Sequence, residues 1–333
     1  LMYPHPDSAL HILQAMTPPK DELNRATWAL LLTQAKYKCD VAQSDSLVNI
    51  AHDYFMKRND AQRKALVLYL KGGLLNEKNR QDEALPYYLK AVEESDNSAD
   101  YYLSYYIHSH IARIYLYRKL YDYAMIHCYK AQDFALLLKK SYYIGDSYLE
   151  IARAFSVQNK QELAYGFYDK AIMTGINDGE KDILATALSE KLFLHITQKE
   201  YKEALSIANK IDRSQIKLQG YLSLGYLYSR TNQIDSAYFY LNKAAQSDNI
   251  YTQRSSYQAL FNLSKNTNNY KKNAEYSVKL WKINDSINKI DRSKALIEMQ
   301  EKYNEQRVRD ELTAKMTLQK QRIMMGIGVA VLI

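Results

Sequence analysis

The stretch LGYLYSRTNQIDSAYFYLNKA, residues 224–244, decides how the chain is read. Gly225 and Tyr228 stand three apart, and beyond Asn232 the residues Ala237, Leu241 and Ala244 recur at the i, i+4, i+7 spacing that gathers side chains on one helix face. Two helices joined by a short polar turn are what the spacing predicts. Upstream the pattern returns as Ala204/Ala208/Ile211, Ala164/Tyr168/Ala171, Ala124/Cys128/Ala131 and Ala84/Tyr88/Ala91, 40 residues apart three times running. A small residue with a bulky one three places later stands ahead of several sets: Gly72/Leu75, Ala112/Tyr115 and Ala152/Phe155. A weaker set follows at Asn273/Ser277/Leu280. A fixed period of this length marks a repeat array in which each hairpin buries its face against the next.

Composition agrees. Ten Gly and 5 Pro in 333 residues, beside 31 Tyr, leave too few turn-makers for a many-stranded sandwich, barrel or propeller. Hydrophobic residues at 47% and charged residues at 25% are ordinary globular values, which excludes global disorder and a polytopic membrane protein. Cys39 and Cys128 form no CxxC, so neither a disulfide framework nor a zinc module is written here. The fold class predicted is all-α, a solenoid of helix hairpins. Small residues admit the partner helix, and aromatics fill the space between helices, which accounts for much of the tyrosine.

Leu224-Gly225-x2-Tyr228 and Ala237-x3-Leu241-x2-Ala244, with Ile234-Asp235-Ser236 between them, resemble the motif of the tetratricopeptide repeat (TPR) family, and the preceding units have the same skeleton. The resemblance implies a right-handed superhelical solenoid over 1–281, with clearer units in 65–281 and degenerate ones in 1–60. Trp28, Leu31, Leu32, Ala35 and Ala51 mark one degenerate unit, and Asp7-Ser8-Ala9-Leu10 reads as the second helix of a truncated one. Leu192 and Asn273 replace the usual small residues, and no unit carries the family's closing Pro. Without that Pro the second helices run on, which fits a 40-residue period better than one of about 34.

A different segment follows. Asp285-Ser286 reads as a helix N-cap, and 287–322 contains no Gly or Pro, so a long charged connector helix is predicted over 282–322. Ile323–Ile333 is then uninterrupted apolar sequence behind Lys315, Lys320 and Arg322. Its eleven residues rise only about 16 Å, half a bilayer core, and read as the start of a transmembrane segment cut by the chain end. Leu1-Met2 at the other end follows no signal peptide and reads as a boundary too. Of the net charge of +8, residues 265–322 carry +6, so the repeats lack the basic stripe that a nucleic-acid partner requires. This layout resembles bacterial membrane-bound TPR regulators. By that resemblance the chain is expected to be a membrane-anchored sensory or interaction domain in signal transduction, with its repeats in the periplasm; apart from the resemblance, the 287–322 helix is expected to offer a homodimer contact. The alternative is a cytoplasmic scaffold or adaptor that assembles a multiprotein complex.

No P-loop, GxGxxG or converging nucleophile and base is present, so no enzyme, cofactor or metal is predicted. His108-x-His110 suggests a metal pair until helical geometry is applied, because residues two apart point about 200° apart. Cys128, at an inter-helix position, reads as an inert thiol. The partner expected is a protein or peptide in a concave groove. The TPR resemblance implies that the groove is lined by Tyr69 and Asn76, then Tyr106, Ser109, Arg113 and Tyr117, then Asp146 and Arg153, and later Tyr226 and Arg230. Arg113 and Arg153 are expected to receive a carboxylate.

Overall fold

The computed structural model describes Met2 and residues 5–289, apart from 79, 96–98, 213, 215 and 217. The chain divides into two compact units, Leu1–Lys217 and Leu218–Ile333. Among the described residues every regular element is a helix.

In the N-terminal unit α1 (Pro6–Ala15) precedes five hairpins. These are α2 (Glu22–Lys38) with α3 (Ser46–Phe55), α4 (Ala61–Glu77) with α5 (Gln81–Ser95), α6 (Tyr101–Tyr117) with α7 (Tyr121–Leu138), α8 (Ser141–Val157) with α9 (Gln161–Asn177), and α10 (Lys181–Thr197) with α11 (Tyr201–Lys210). Aspartates start three of the first helices: Asp21, Asp60 and Asp100 each accept a hydrogen bond from a backbone N–H three residues on. Such a cap satisfies one of the amides that a helix start leaves without a partner.

The turns explain how a glycine-poor chain makes so many hairpins. Lys119, Asn159 and Lys199, one repeat apart, hold left-handed backbone with φ of 59°, 57° and 64°. The amide after each bonds back five residues, Leu120 to the Tyr115 carbonyl, Lys160 to Phe155 and Glu200 to His195, at 2.9–3.0 Å. This is the Schellman closure, made here by Asn and Lys in place of Gly.

Packing follows the alanine pattern. Ala84, Tyr88 and Ala91 are fully buried, as are Ala124, Ala164 and Ala171, with Cys128, Ala131 and Tyr168 nearly so. Within this unit each helix packs against the next in sequence. In addition α2 touches α4, α4 touches α6, α6 touches α8 and α8 touches α10, whereas no such contact joins one second helix to another among the described residues. The first helices therefore crowd together along one side of this unit and form a continuous wall.

The C-terminal unit contains α12 (Leu218–Arg230), α13 (Ile234–Ala244), α14 (Ile250–Asn266) and a further helix, α15, over 270–289. Ala237, Leu241 and Ala244 are fully buried, and a Cβ on Gly225 would lie 2.5 Å from Leu241, which is why glycine stands there. Two local expectations are corrected. Tyr276, not Ser277, is the residue that α15 buries at this point of the pattern, held between Tyr238 and Tyr257 and close to Asn242. Asn273, in place of a small residue, donates to the Phe261 carbonyl at 3.0 Å. Nor does a helix start at Asp285. Helix α15 runs straight through it, with the Ser286 hydroxyl bonded back to the Lys282 carbonyl and Lys289 paired with Asp285.

The expectation of a membrane-anchored, periplasmic repeat domain is also corrected: among the described residues no helix is long and apolar enough to cross a bilayer. Residues 290–333, which include the apolar run 323–333 and nearly all of the expected dimer helix, lie outside the described residues.

Candidate functional site: the first-helix wall of the N-terminal unit

Arg113 on α6 and Arg153 on α8 occupy the same repeat position, and Glu150 on α8 and Glu190 on α10 share another. Because successive first helices touch, each arginine reaches the glutamate 37 residues on. Arg113 donates to Glu150 Oε1 through Nη2 at 2.5 Å and Nε at 3.1 Å. Arg153 donates to Glu190 through Nη2 at 2.7 Å and Nε at 2.9 Å, and back to Glu150 Oε1 through Nη1 at 2.9 Å. The four side chains make a ladder across three helices. Glu150 is 3% exposed; burial works to raise its carboxyl, but the charges of Arg113 and Arg153 outweigh burial and hold it below the usual range. The Arg113 and Arg153 side chains remain 51% and 34% exposed, so the ladder keeps a wet face on the wall. One turn before Glu150, Asp146 accepts a 2.5 Å bond from the Tyr105 hydroxyl, and its carboxyl is raised by burial and by the Glu150 charge.

Toward α2 the same register carries different chemistry. Gly73 stands one repeat before Arg113, and His110 one repeat before Glu150. A Cβ on Gly73 would lie 2.8 Å from the Tyr37 ring, so the missing side chain is what admits Tyr37 to the wall. Tyr37, Tyr69, Tyr106 and His110, with Leu66 and Leu103, line a cavity of about 390 Å³. Burial and the Arg113 charge lower His110 to about 4, which leaves it neutral at physiological pH. In that state Nδ1–H donates to the Tyr106 carbonyl at 2.8 Å, and Nε2 faces the Tyr37 hydroxyl at 3.5 Å.

Of the residues expected to line a groove, Tyr69, Tyr106, Ser109, Arg113, Asp146 and Arg153 come together on α4, α6 and α8. Tyr69 and Ser109 are buried, and Tyr106 bonds the Tyr143 hydroxyl at 3.2 Å. Asn76 is half-buried in the last turn of α4, and Tyr117, at the end of α6, is 78% exposed. Tyr226 and Arg230 belong to the other unit, where the Tyr226 hydroxyl donates to the Ser255 carbonyl at 3.4 Å and Arg230 is exposed. The two arginines expected to receive a ligand carboxylate are already paired with Glu150 and Glu190. Sequence reasoning missed those glutamates, Tyr37 and Tyr105, and it named His110 only as half of a rejected metal pair. The recurrence of Glu150 and Glu190 at the repeat interval was the available signal for the ladder.

The remaining candidates for chemistry are packed away. His108 meets His127, Nδ1 to Nδ1 at 2.8 Å, while His110 points elsewhere, as a two-residue helical spacing requires. Burial pushes the Cys128 thiol up to about 12. Among the described residues no three or more His, Cys, Asp and Glu side chains are grouped to hold a metal ion.

No protein-family model and no curated protein matches the chain. Solved structures do. A Rap protein in complex with Competence and Sporulation Factor matches with a TM-score of 0.55 at 15% identity, over 85% of this chain and 92% of that one. NprR in complex with its cognate peptide NprX matches at 0.55 and 16%, over 82% and 81%. Aspartyl phosphate phosphatase F from Bacillus subtilis matches at 0.53 and 14%, over 84% and 88%. The chain shares their fold. It is a TPR-like array of helix hairpins, and at these identities the likeness concerns the fold alone.

Proposed function

We propose that the chain is a non-catalytic member of the TPR family that recognises an extended peptide or protein segment along the first-helix wall, and that it acts as an adaptor or regulator through that contact. The observation that carries this reading is the wall itself: an aromatic cavity at one end and a half-open ladder of alternating charge at the other, on helices that touch in series. An extended chain offers side chains and backbone amides at regular intervals, and such a surface answers both. The charged groups of the ladder are satisfied by one another, which suits recognition better than acid–base chemistry. Two solved structures of this fold hold a named partner, Competence and Sporulation Factor in one and the peptide NprX in the other, which supports the reading. That the TPR pattern covers 65–281, with Tyr226 and Arg230 on the first helix of the C-terminal unit's own hairpin, belongs to the same proposal.

Selection of peptides from a random displayed library on the full chain tests it. Binders should weaken by about tenfold or more with Tyr106→Ala or Tyr117→Ala, and should be indifferent to Ile126→Ala and Met173→Ala on exposed faces of α7 and α9. The reverse pattern contradicts the proposal.

A further inference from the structure

The cavity between α2, α4 and α6 has a charge balance that the ladder beside it lacks. Its walls are rings. Tyr37 and Tyr69 meet edge to face with centroids 5.8 Å apart, Tyr69 meets His110 at 5.5 Å, and Tyr106 closes another side. Its rim carries two carboxylates, Asp40 in the turn after α2 and Glu77 at the end of α4, both exposed.

The cations nearby are already committed. Arg113 is bonded to Glu150. Lys38 lines the cavity itself, lies over the Tyr106 ring and feels the Asp100 charge, and Lys78 is bonded to both oxygens of Asp45 at 2.8 and 2.9 Å. His110 is neutral at physiological pH. Among the described residues neither Asp40 nor Glu77 takes part in an ion pair. Glu77 is raised above its ordinary value by burial and then by the Asp40 charge, against a smaller opposing effect of Lys78, so the two carboxylates repel and gain from a further cation placed near both. The wall has also shown what it accepts: the Lys38 ammonium lies 4.9 Å from the Tyr106 ring centroid, over the negative face of the π-system.

We infer that this cavity is a subsite for a cationic side chain, arginine above all, with Tyr37, Tyr69 and Tyr106 stacking on the guanidinium plane and Asp40 and Glu77 answering its charge. A planar guanidinium is weakly hydrated, stacks on aromatic faces and presents several donors to carboxylates, which matches both the rings and the rim. The assignment of the occupant to a peptide rests on the proposed function; the affinity of the cavity for the cation does not.

Two arms of one experiment keep those claims apart. In the first, n-butylguanidinium and its neutral isostere n-butylurea are titrated into the full chain with ring-labelled tyrosine, followed by NMR. Butylguanidinium should shift the Tyr37, Tyr69 and Tyr106 ring signals with at least about tenfold lower Kd than butylurea, and Asp40→Asn with Glu77→Gln should cut the preference to about twofold or less. Both substitutions are at exposed positions, and an unchanged melting curve checks that the fold is kept. Equal binding of the two probes, or an undiminished preference in the double variant, overturns the inference.

In the second arm a library-selected peptide is compared with its copy in which arginine is replaced by citrulline. Weaker binding of the citrulline copy to the native chain, but not to the double variant, assigns the occupant to the peptide. Equal binding of both copies overturns the peptide part. If butylguanidinium binds as stated and no library peptide binds anywhere, the cavity stands and the proposed function fails.

Discussion

Glu150 and Glu190 share a repeat position, yet their surroundings differ. The Glu150 side chain is 4% exposed and lies between two guanidiniums, whereas Glu190 is 31% exposed and is held by one. Removing Glu150 takes a partner from two guanidiniums at once, though water reaches both, while removing Glu190 takes a partner from one. Glu150→Ala should therefore cost about 2 kcal/mol, and Glu190→Ala about 1 kcal/mol or less, as read from urea unfolding of each variant. Equal losses would mean that the ladder is held by solvent-exposed contacts alone. At this scale the sequence showed half of the site. Arg113 and Arg153 stand at groove-facing positions of the TPR pattern and were legible. Their partners were not, because pairing them requires knowing that neighbouring first helices touch closely enough to join residues 37 apart. Tyr37 was hidden for a different reason: it lies in a degenerate unit whose register the alanine pattern does not reach.

The α6–α7 hairpin carries a pH dependence. His108 is 4% exposed and is lowered to about 3 by burial and then by the cost of protonating it beside His127 and Lys130; His127 is itself lowered by burial and Lys130, and the pair shares one N–H across 2.8 Å. Both rings are neutral in the folded chain, while an unfolded histidine takes a proton near pH 6.5. The unfolded state thus binds more protons at every pH between those values, and stability falls as pH drops below about 6.5 toward about 3. For His108 the loss between pH 7 and pH 5 is about 2 kcal/mol. His108→Gln should flatten the decline in urea midpoint over that range, and an unchanged slope would show that the buried pair is not its source. Helix hairpins were legible at this scale because small residues at i, i+4 and i+7 are demanded by close helix contact, and a Cβ or a larger side chain there meets the partner. The start expected at Asp285 failed because Asp and Ser serve equally inside an exposed helix, where α15 uses them for an i, i+4 pair and a bond back to a carbonyl. The turns were legible as turns but not in kind, since Lys199 gives no sign in sequence of the left-handed backbone that it adopts.

Across the whole molecule the repeat period fixed the architecture, while the division at 217/218 had no counterpart in the alanine pattern. Whether binding occurs on the first-helix wall of the N-terminal unit is decided by photo-crosslinking. A library-selected peptide carrying a benzophenone at successive positions is irradiated with the full chain, and the adducts are mapped by mass spectrometry. Adducts are expected on α4, α6 and α8 around Tyr106, Arg113, Asp146 and Arg153, moving along the wall as the benzophenone moves along the peptide. Adducts confined to the exposed faces of α7 and α9, at Tyr123, Ile126 and Met173, would contradict binding on the wall.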